Sequence, residues 1–190
     1  RMTPWFVLSY PRCRTAWLSV FLSGAGVPCF HEAWKRVKTM AEMRALMRDQ
    51  CAPVVVNSDC SNVFFLDELR MHFPDAKYLT ITNSDEAILS SLKESYGDLD
   101  YTGMMAQYRA AFSHAKDLPG ETVDCREWDR ATSAWLFERM TGRAVDTGWL
   151  DQVSGMLVQL MPWQIREDIQ RAAAGEFDHI ARRMKEAAWV

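Results

Sequence analysis

The chain predicts a three-layer α/β fold, a parallel sheet of about five strands flanked by helices, and three observations carry that expectation. Short apolar runs bounded by polar turns recur along the sequence, each followed by a segment with helical patterning. The first run passes straight into a basic turn and the start of a helix. A length of 190 residues, 48% hydrophobic and 12% aromatic, suffices for the core of one ordinary domain, so residues 1–190 are expected to form a single unit.

Taken in order, Trp5 to Leu8 reads as a buried strand and Thr15 to Leu22 as the first helix, ended near Gly24 and Gly26. Pro28 to Phe30 is the second strand. Trp34 to Arg48 is charged and amphipathic, with Met40, Met43 and Met47 at helical spacing. Pro53 to Val56 is the third strand, followed by a helix from Ser61 to His72 that Pro74 stops. Tyr78 to Ile81 is the fourth strand and Asp85 to Ser95 the next helix. Gly97 to Gly103 turns the chain into a helix from Met104 to Lys116. Thr122 to Cys125 is the fifth strand, and Trp128 to Thr141 a helix closed at Gly142. From Pro162 onward Ile165, Ile169, Ala172, Ala173, Ile180 and Met184 share one face at a period near 3.6. Residues 162–190 therefore read as a C-terminal helical extension laid against the core and bent at Gly175.

A net charge of -3 gives no general attraction to nucleic acid or to acidic lipid, so any anion binding must be local. No apolar run approaches the ~20 residues of a membrane helix. The five cysteines include no CxxC pair and no zinc-like spacing, and no secretory leader is expected. Free thiols in a reducing cytoplasm, with no metal, are the expectation. The eight tryptophans and eleven methionines, mostly at helical spacing, read as core. Trp34 is the exception retained as a wall of an acceptor pocket.

The segment from Phe6 to Ser19 concentrates the functional signal. A strand, a tight basic turn with hydroxyls and a helix start are how α/β proteins hold phosphate, because backbone N–H groups and the positive helix end converge on one point. Arg12 and Arg14 supply the cations there.

The turn resembles the phosphosulfate-binding loop of the sulfotransferase family, roughly Pro-Lys/Arg-Ser-Gly-Thr-Thr/Ala-Trp-Leu. Pro11, Arg12, Thr15, Ala16, Trp17 and Leu18 match it, while Cys13 and Arg14 stand where Ser-Gly is usual. His72-Phe73-Pro74-Asp75-Ala76-Lys77-Tyr78-Leu79 is similar to the family's entry into the strand before the 3′-phosphate motif, and Asn83 to Ser90 follows as that motif's helix. Val123 to Trp128, Leu136 to Gly142 and Val145-Asp146 resemble later family segments, so the likeness spans about residues 5–150 and is nearest to short bacterial and phage-like members. It implies a P-loop-type sheet and sulfuryl transfer from 3′-phosphoadenosine 5′-phosphosulfate to a hydroxyl or amine of unidentified nature.

By that resemblance Arg12 takes the place of the catalytic lysine or arginine. Cys13, Arg14, Thr15, Ala16 and Trp17 cradle the donor phosphate, and Asn83 and Ser90 face its 3′ end. The family's 3′-phosphate arginine is replaced by Thr82, and no Arg-Lys-Gly-x-x-Gly loop follows; Arg182 and Arg183 either supply that charge or are solvated. The expected base lies beyond the strand ends. Glu32 either takes the acceptor's proton or orients His31, and Asp59 is either a base or a helix cap. Two other readings stay open: an anion- or nucleotide-binding protein on the same fold, and a P-loop phosphotransferase, although no Gly-x-x-x-x-Gly-Lys-Ser/Thr sequence is present.

Overall fold

Strand β1 (Thr3–Ser9) is buried along nearly its whole length because it is the middle of a sheet covered on both faces. Trp5 and Val7 point into one apolar cluster, Phe6 and Leu8 into the other, as strand alternation requires. The computed structural model describes residues 2–115, 117, 120–158 and 161–187. Its five-stranded sheet has the order β2-β3-β1-β4-β5, with β2 Cys29–His31, β3 Val54–Ser58, β4 Lys77–Thr82 and β5 Glu121–Asp124. Every neighbouring pair is parallel; Trp5 lies opposite both Val56 and Lys77.

The first face carries α1 (Thr15–Gly24), α4 (Asp85–Tyr96), α6 (Arg130–Thr141) and α7 (Thr147–Ser154), which bury Phe21, Ile88, Leu136 and Leu150. The second carries α2 (Met40–Arg48), α3 (Leu66–His72), α5 (Thr102–Ala115) and α9 (Asp178–Ala187). The expected three layers are therefore present, with all five strands within two residues of their predicted bounds.

Local chemistry explains where the helices depart from expectation. The run Trp34–Arg48 divides into a 3-10 turn (Ala33–Lys35) and α2, because Thr39 caps α2 in a capping box with Glu42. The helix predicted from Ser61 opens as a 3-10 segment (Cys60–Phe65) capped by Asp59. Asp129 caps α6 through the Thr132 N–H, so that helix starts at Arg130 rather than Trp128. α7 was not legible beforehand: it is eight residues long and contains Gly148. It is held by Trp149, whose indole N–H donates to the Phe21 carbonyl at 2.9 Å over Gly24.

The tail bends at Gly175, in the left-handed region at φ 78°, between α8 (Pro162–Ala173) and α9. Ile180 and Met184 pack on the core as expected, but Ile169 is exposed and α8 buries none of its residues. Lys116 and residues 188–190, parts of predicted helices, lie outside the described residues. Among the described residues no helix is long and apolar enough to cross a membrane.

Candidate phosphate-binding site at the C-terminal edge of the sheet

All strands run the same way, so the segments after β1, β2, β3 and β4 open on one edge. α1 leaves β1 toward one face while α3 leaves β3 toward the other, and a crevice between such diverging connections is where open α/β sheets place ligands.

The β1–α1 loop has unusual backbone. Arg12 has φ 65° and Arg14 φ 59°, both left-handed, a region that costs an L-residue energy because Cβ approaches the following carbonyl. The second is the position where the resembled loop carries glycine. Arg14 is the N-cap of α1 and its side chain caps nothing, and among the described residues no side-chain hydrogen bond reaches the N–H groups of Thr15, Ala16 and Trp17. A ten-residue helix adds the positive end of its dipole at the same place. Cys13 is fully buried and anchors the loop, Thr15 is buried, and Trp17 sinks into the first cluster with its indole N–H on the Val153 carbonyl at 3.0 Å. The exposed Arg14 guanidinium lies 6.0 Å from the Trp17 ring.

Arg12 turns toward α4, where its Nε donates to Ser91 Oγ at 3.0 Å. This corrects the expected register, since Ser90 is exposed and Ser91 is the hydroxyl that meets the loop. Asn83 Oδ1 accepts from the Ser84 N–H at 2.9 Å. Thr82 donates toward the Val123 carbonyl at 3.5 Å.

On the other side the loop touches β2 and β3. Ser58 Oγ donates to the Thr15 carbonyl at 2.8 Å, and Thr15 Oγ1 lies 3.4 Å from His31 Nε2. Burial pushes the His31 pKa below its ordinary value, against the opposing pull of Glu32 and Asp59. The imidazole is therefore neutral near pH 7, with one of its ring nitrogens an acceptor.

The other two base candidates are otherwise committed. Asp59 is buried, with Oδ2 accepting from the Trp34 N–H at 3.0 Å and Oδ1 from the Ser61 N–H at 2.8 Å. Burial raises its pKa and those N–H groups offset part of the rise. Glu32, at φ 54°, pairs with Lys35 Nζ at 2.7 Å.

Lys35 was not legible as a site residue. Its ammonium also meets Asp168 of α8 at 2.5 Å, 133 positions away in sequence, and lies 5.6 Å from the Phe177 ring. Burial opposes that charge, and the two carboxylates overcome it and raise the Lys35 pKa. Arg171 donates to the Lys35 carbonyl at 3.3 Å and His179 Nε2 to the Trp34 carbonyl at 2.8 Å, so the tail clasps the segment after β2. Arg183 pairs with Glu68 and lies over Phe65, whereas Arg182 is solvated. Trp34 is core rather than pocket wall: it is 1% exposed, stacked on Phe65 at 3.7 Å, and donates to Asn62 Oδ1 at 2.9 Å.

An open groove of about 390 Å³ beside β5 is lined by Asp124, Glu127, Thr132 and Trp135. Its carboxylates make it unsuited to an anion. The candidate site is the β1–α1 loop.

No family model matches the chain. No curated protein matches it either. Among solved structures, a sugar kinase from Janibacter sp. HTCC2649 aligns with TM-score 0.50 and 13% identity over 82% of this chain and 100% of that one. The fold is of the P-loop class. A gluconokinase from Sinorhizobium meliloti 1021 aligns with TM-score 0.45 and 11% identity over 81% of this chain and 95% of that one.

Proposed function

We propose that this chain is a nucleotide-dependent group-transfer enzyme that seats a donor phosphate on residues Arg12–Trp17. One observation carries the reading: the first turn of α1 lacks a side-chain cap and is entered through two left-handed arginines at the end of the central strand.

For the donor, the frame Pro11-Arg12-x-x-Thr15-Ala16-Trp17-Leu18 supports 3′-phosphoadenosine 5′-phosphosulfate, which supplies a transferable sulfuryl group when bound. The residues present fit its 5′ end. The loop N–H groups would hold phosphate, and Arg12 and Arg14 would neutralise it. They do not match its 3′ end, where Thr82 stands in place of the arginine and Ser90 faces outward. His31 serves as the base in this reading. It is neutral through burial and sits beside Thr15, next to the phosphate turn, where an acceptor hydroxyl or amine would give up its proton. Lys35 holds Glu32 and so fixes the backbone around His31.

A second reading, a P-loop phosphotransferase, is supported by the likeness to a sugar kinase at TM-score 0.50. Fold and loop residues thus favour different transferred groups on the same site.

Calorimetric titration separates them. Tighter binding of 3′-phosphoadenosine 5′-phosphate than of magnesium ATP supports sulfuryl transfer, and the reverse order supports phosphoryl transfer. If neither nucleotide exceeds inorganic phosphate, both donor readings fall and an anion-binding role on the same fold is what stands.

A further inference from the structure

Helix α8 lies on the body with its polar side inward. Its sequence spacing puts Ile165, Ile169, Ala172 and Ala173 on one face, the face a surface helix ordinarily buries. The half-buried residues are instead Gln164, Asp168 and Arg171, with Ile165 at their edge. Asp168 holds the Lys35 ammonium, and Arg171 donates to the Lys35 carbonyl and lies 4.8 Å from the Phe177 ring. Ile169 is 61% exposed and Trp163 55%, and Ala172 and Ala173 face solvent too. The patch extends into the residues before the helix. Met156, Leu157, Met161, Trp163 and Ile169 are five of the nine large apolar side chains exposed among the described residues. Apolar side chains scattered singly need no partner, but a concentration of them marks an interaction surface.

The charges on that surface say what covers it. Asp168 is engaged by Lys35 and Arg171 by Glu176, whereas Arg166 and Glu167 are exposed and make no ion pair or side-chain hydrogen bond among the described residues. One unused cation beside one unused anion is self-complementary under two-fold symmetry. At about 100° per residue Arg166 stands between Ile169 and Trp163 on the exposed side, so a pairing centred there also covers both apolar side chains. A lipid surface fits less well. α8 sets Arg166 and Arg171 against Glu167 and Asp168, and the whole chain carries -3, which leaves an anionic membrane no charge to attract. We propose that a second copy of this chain docks on the outer face of α8, the two helices antiparallel, with Arg166 of each protomer against Glu167 of the other.

The size of the surface sets the strength of the pairing. A helix of twelve residues with Met156, Leu157 and Met161 before it supplies fewer than the roughly 20–30 residues a side of a standard interface. The dimer is therefore weak, with a dissociation constant of about 1–100 μM. Docking gives apolar burial to a helix that buries none of its own residues, and so steadies its clasp on the segment after β2. Neither the surface nor its test depends on which donor the phosphate turn holds.

Sedimentation velocity of the full chain from about 1 to 200 μM reads the association. The expected result is a concentration-dependent shift from the 21.9 kDa monomer toward a dimer. Ile169→Asp should weaken dimerisation by at least about tenfold, with circular dichroism and Tm unchanged because the side chain already faces solvent. Arg166→Glu and Glu167→Arg should each weaken it as well. An equimolar mixture of those two variants should associate more tightly than either alone, since two carboxylates then face two guanidinium groups. A chain that stays monomeric to about 200 μM overturns the proposal, as does a dimer that Ile169→Asp leaves intact. So does a mixture of the charge variants that associates no better than its components, a comparison that stands even where Ile169→Asp misfolds. Co-flotation of the wild-type chain, but not of Ile169→Asp, with phosphatidylcholine–phosphatidylserine vesicles would assign the face to lipid and overturn it too.

Discussion

Arg14 occupies a backbone position that glycine fills at lower cost, and replacing it separates the loop's geometry from its charge. At φ 59° and ψ 14° it is in the left-handed region, where a Cβ costs about 1–2 kcal/mol. Glycine removes that strain but brings extra freedom to the unfolded chain, worth about 0.5–1 kcal/mol in the opposite direction. Alanine keeps the Cβ. Both variants lose the guanidinium and its contact with Trp17, so the comparison between them isolates the backbone. Arg14→Gly should be more stable than Arg14→Ala by about 0.5–1 kcal/mol, about 1–4 °C in Tm for a chain of this length. Urea unfolding and calorimetry measure the difference. Both variants should bind pyrophosphate about tenfold more weakly than the parent chain, the loss expected for one charge-assisted contact. Equal stability of the two variants would refute the strain argument, and unchanged affinity in both would remove Arg14 from the anion site.

Arg12→Ala should also weaken pyrophosphate binding by about tenfold or more, with Ser91→Ala giving a smaller loss and Ser90→Ala none; titration of the three variants checks the serine register. Because the folded pKa of His31 lies below its ordinary value of about 6.5, the unfolded chain binds its proton more readily. The stability His31 contributes is present above about pH 6.5 and is lost as pH falls through the folded pKa, and His31→Gln should flatten that dependence in urea midpoints measured from pH 7 downward. Asp59→Asn should cost about 1–3 kcal/mol in urea unfolding, since an amide NH2 cannot accept both backbone N–H groups. Gly24→Ala places a Cβ in the Trp149 indole and should cost about 1–3 kcal/mol, read as a lower Tm together with a change in Trp fluorescence.

The strands were legible because each is a short apolar run held between turns. A parallel sheet covered on both faces needs such runs regardless of what covers them. The phosphate turn was legible for a similar local reason: Arg12 to Trp17 are consecutive, so strand, turn and helix start carry the signal together. Asp59 follows a strand end as read from the sequence and its cap on Ser61 is local, but its second bond is to the Trp34 N–H, 25 positions away. The choice between Ser90 and Ser91 depended on the rotational phase of α4 about its axis. One residue changes the side chain's direction by about 100° on a helix, more than patterning over a short segment can settle.

What the sequence by itself determined is whatever neighbouring residues decide among themselves: the strand and helix succession, most caps, and a basic turn after the first strand. The tertiary structure decided what distant segments bring to one point. It set Lys35 between Glu32 and Asp168 and docked α7 through Trp149 on Gly24. The physical reason is that hydrogen bonds and ion pairs depend on separation in space. The parallel sheet sets that separation by bringing the ends of its strands to a common edge.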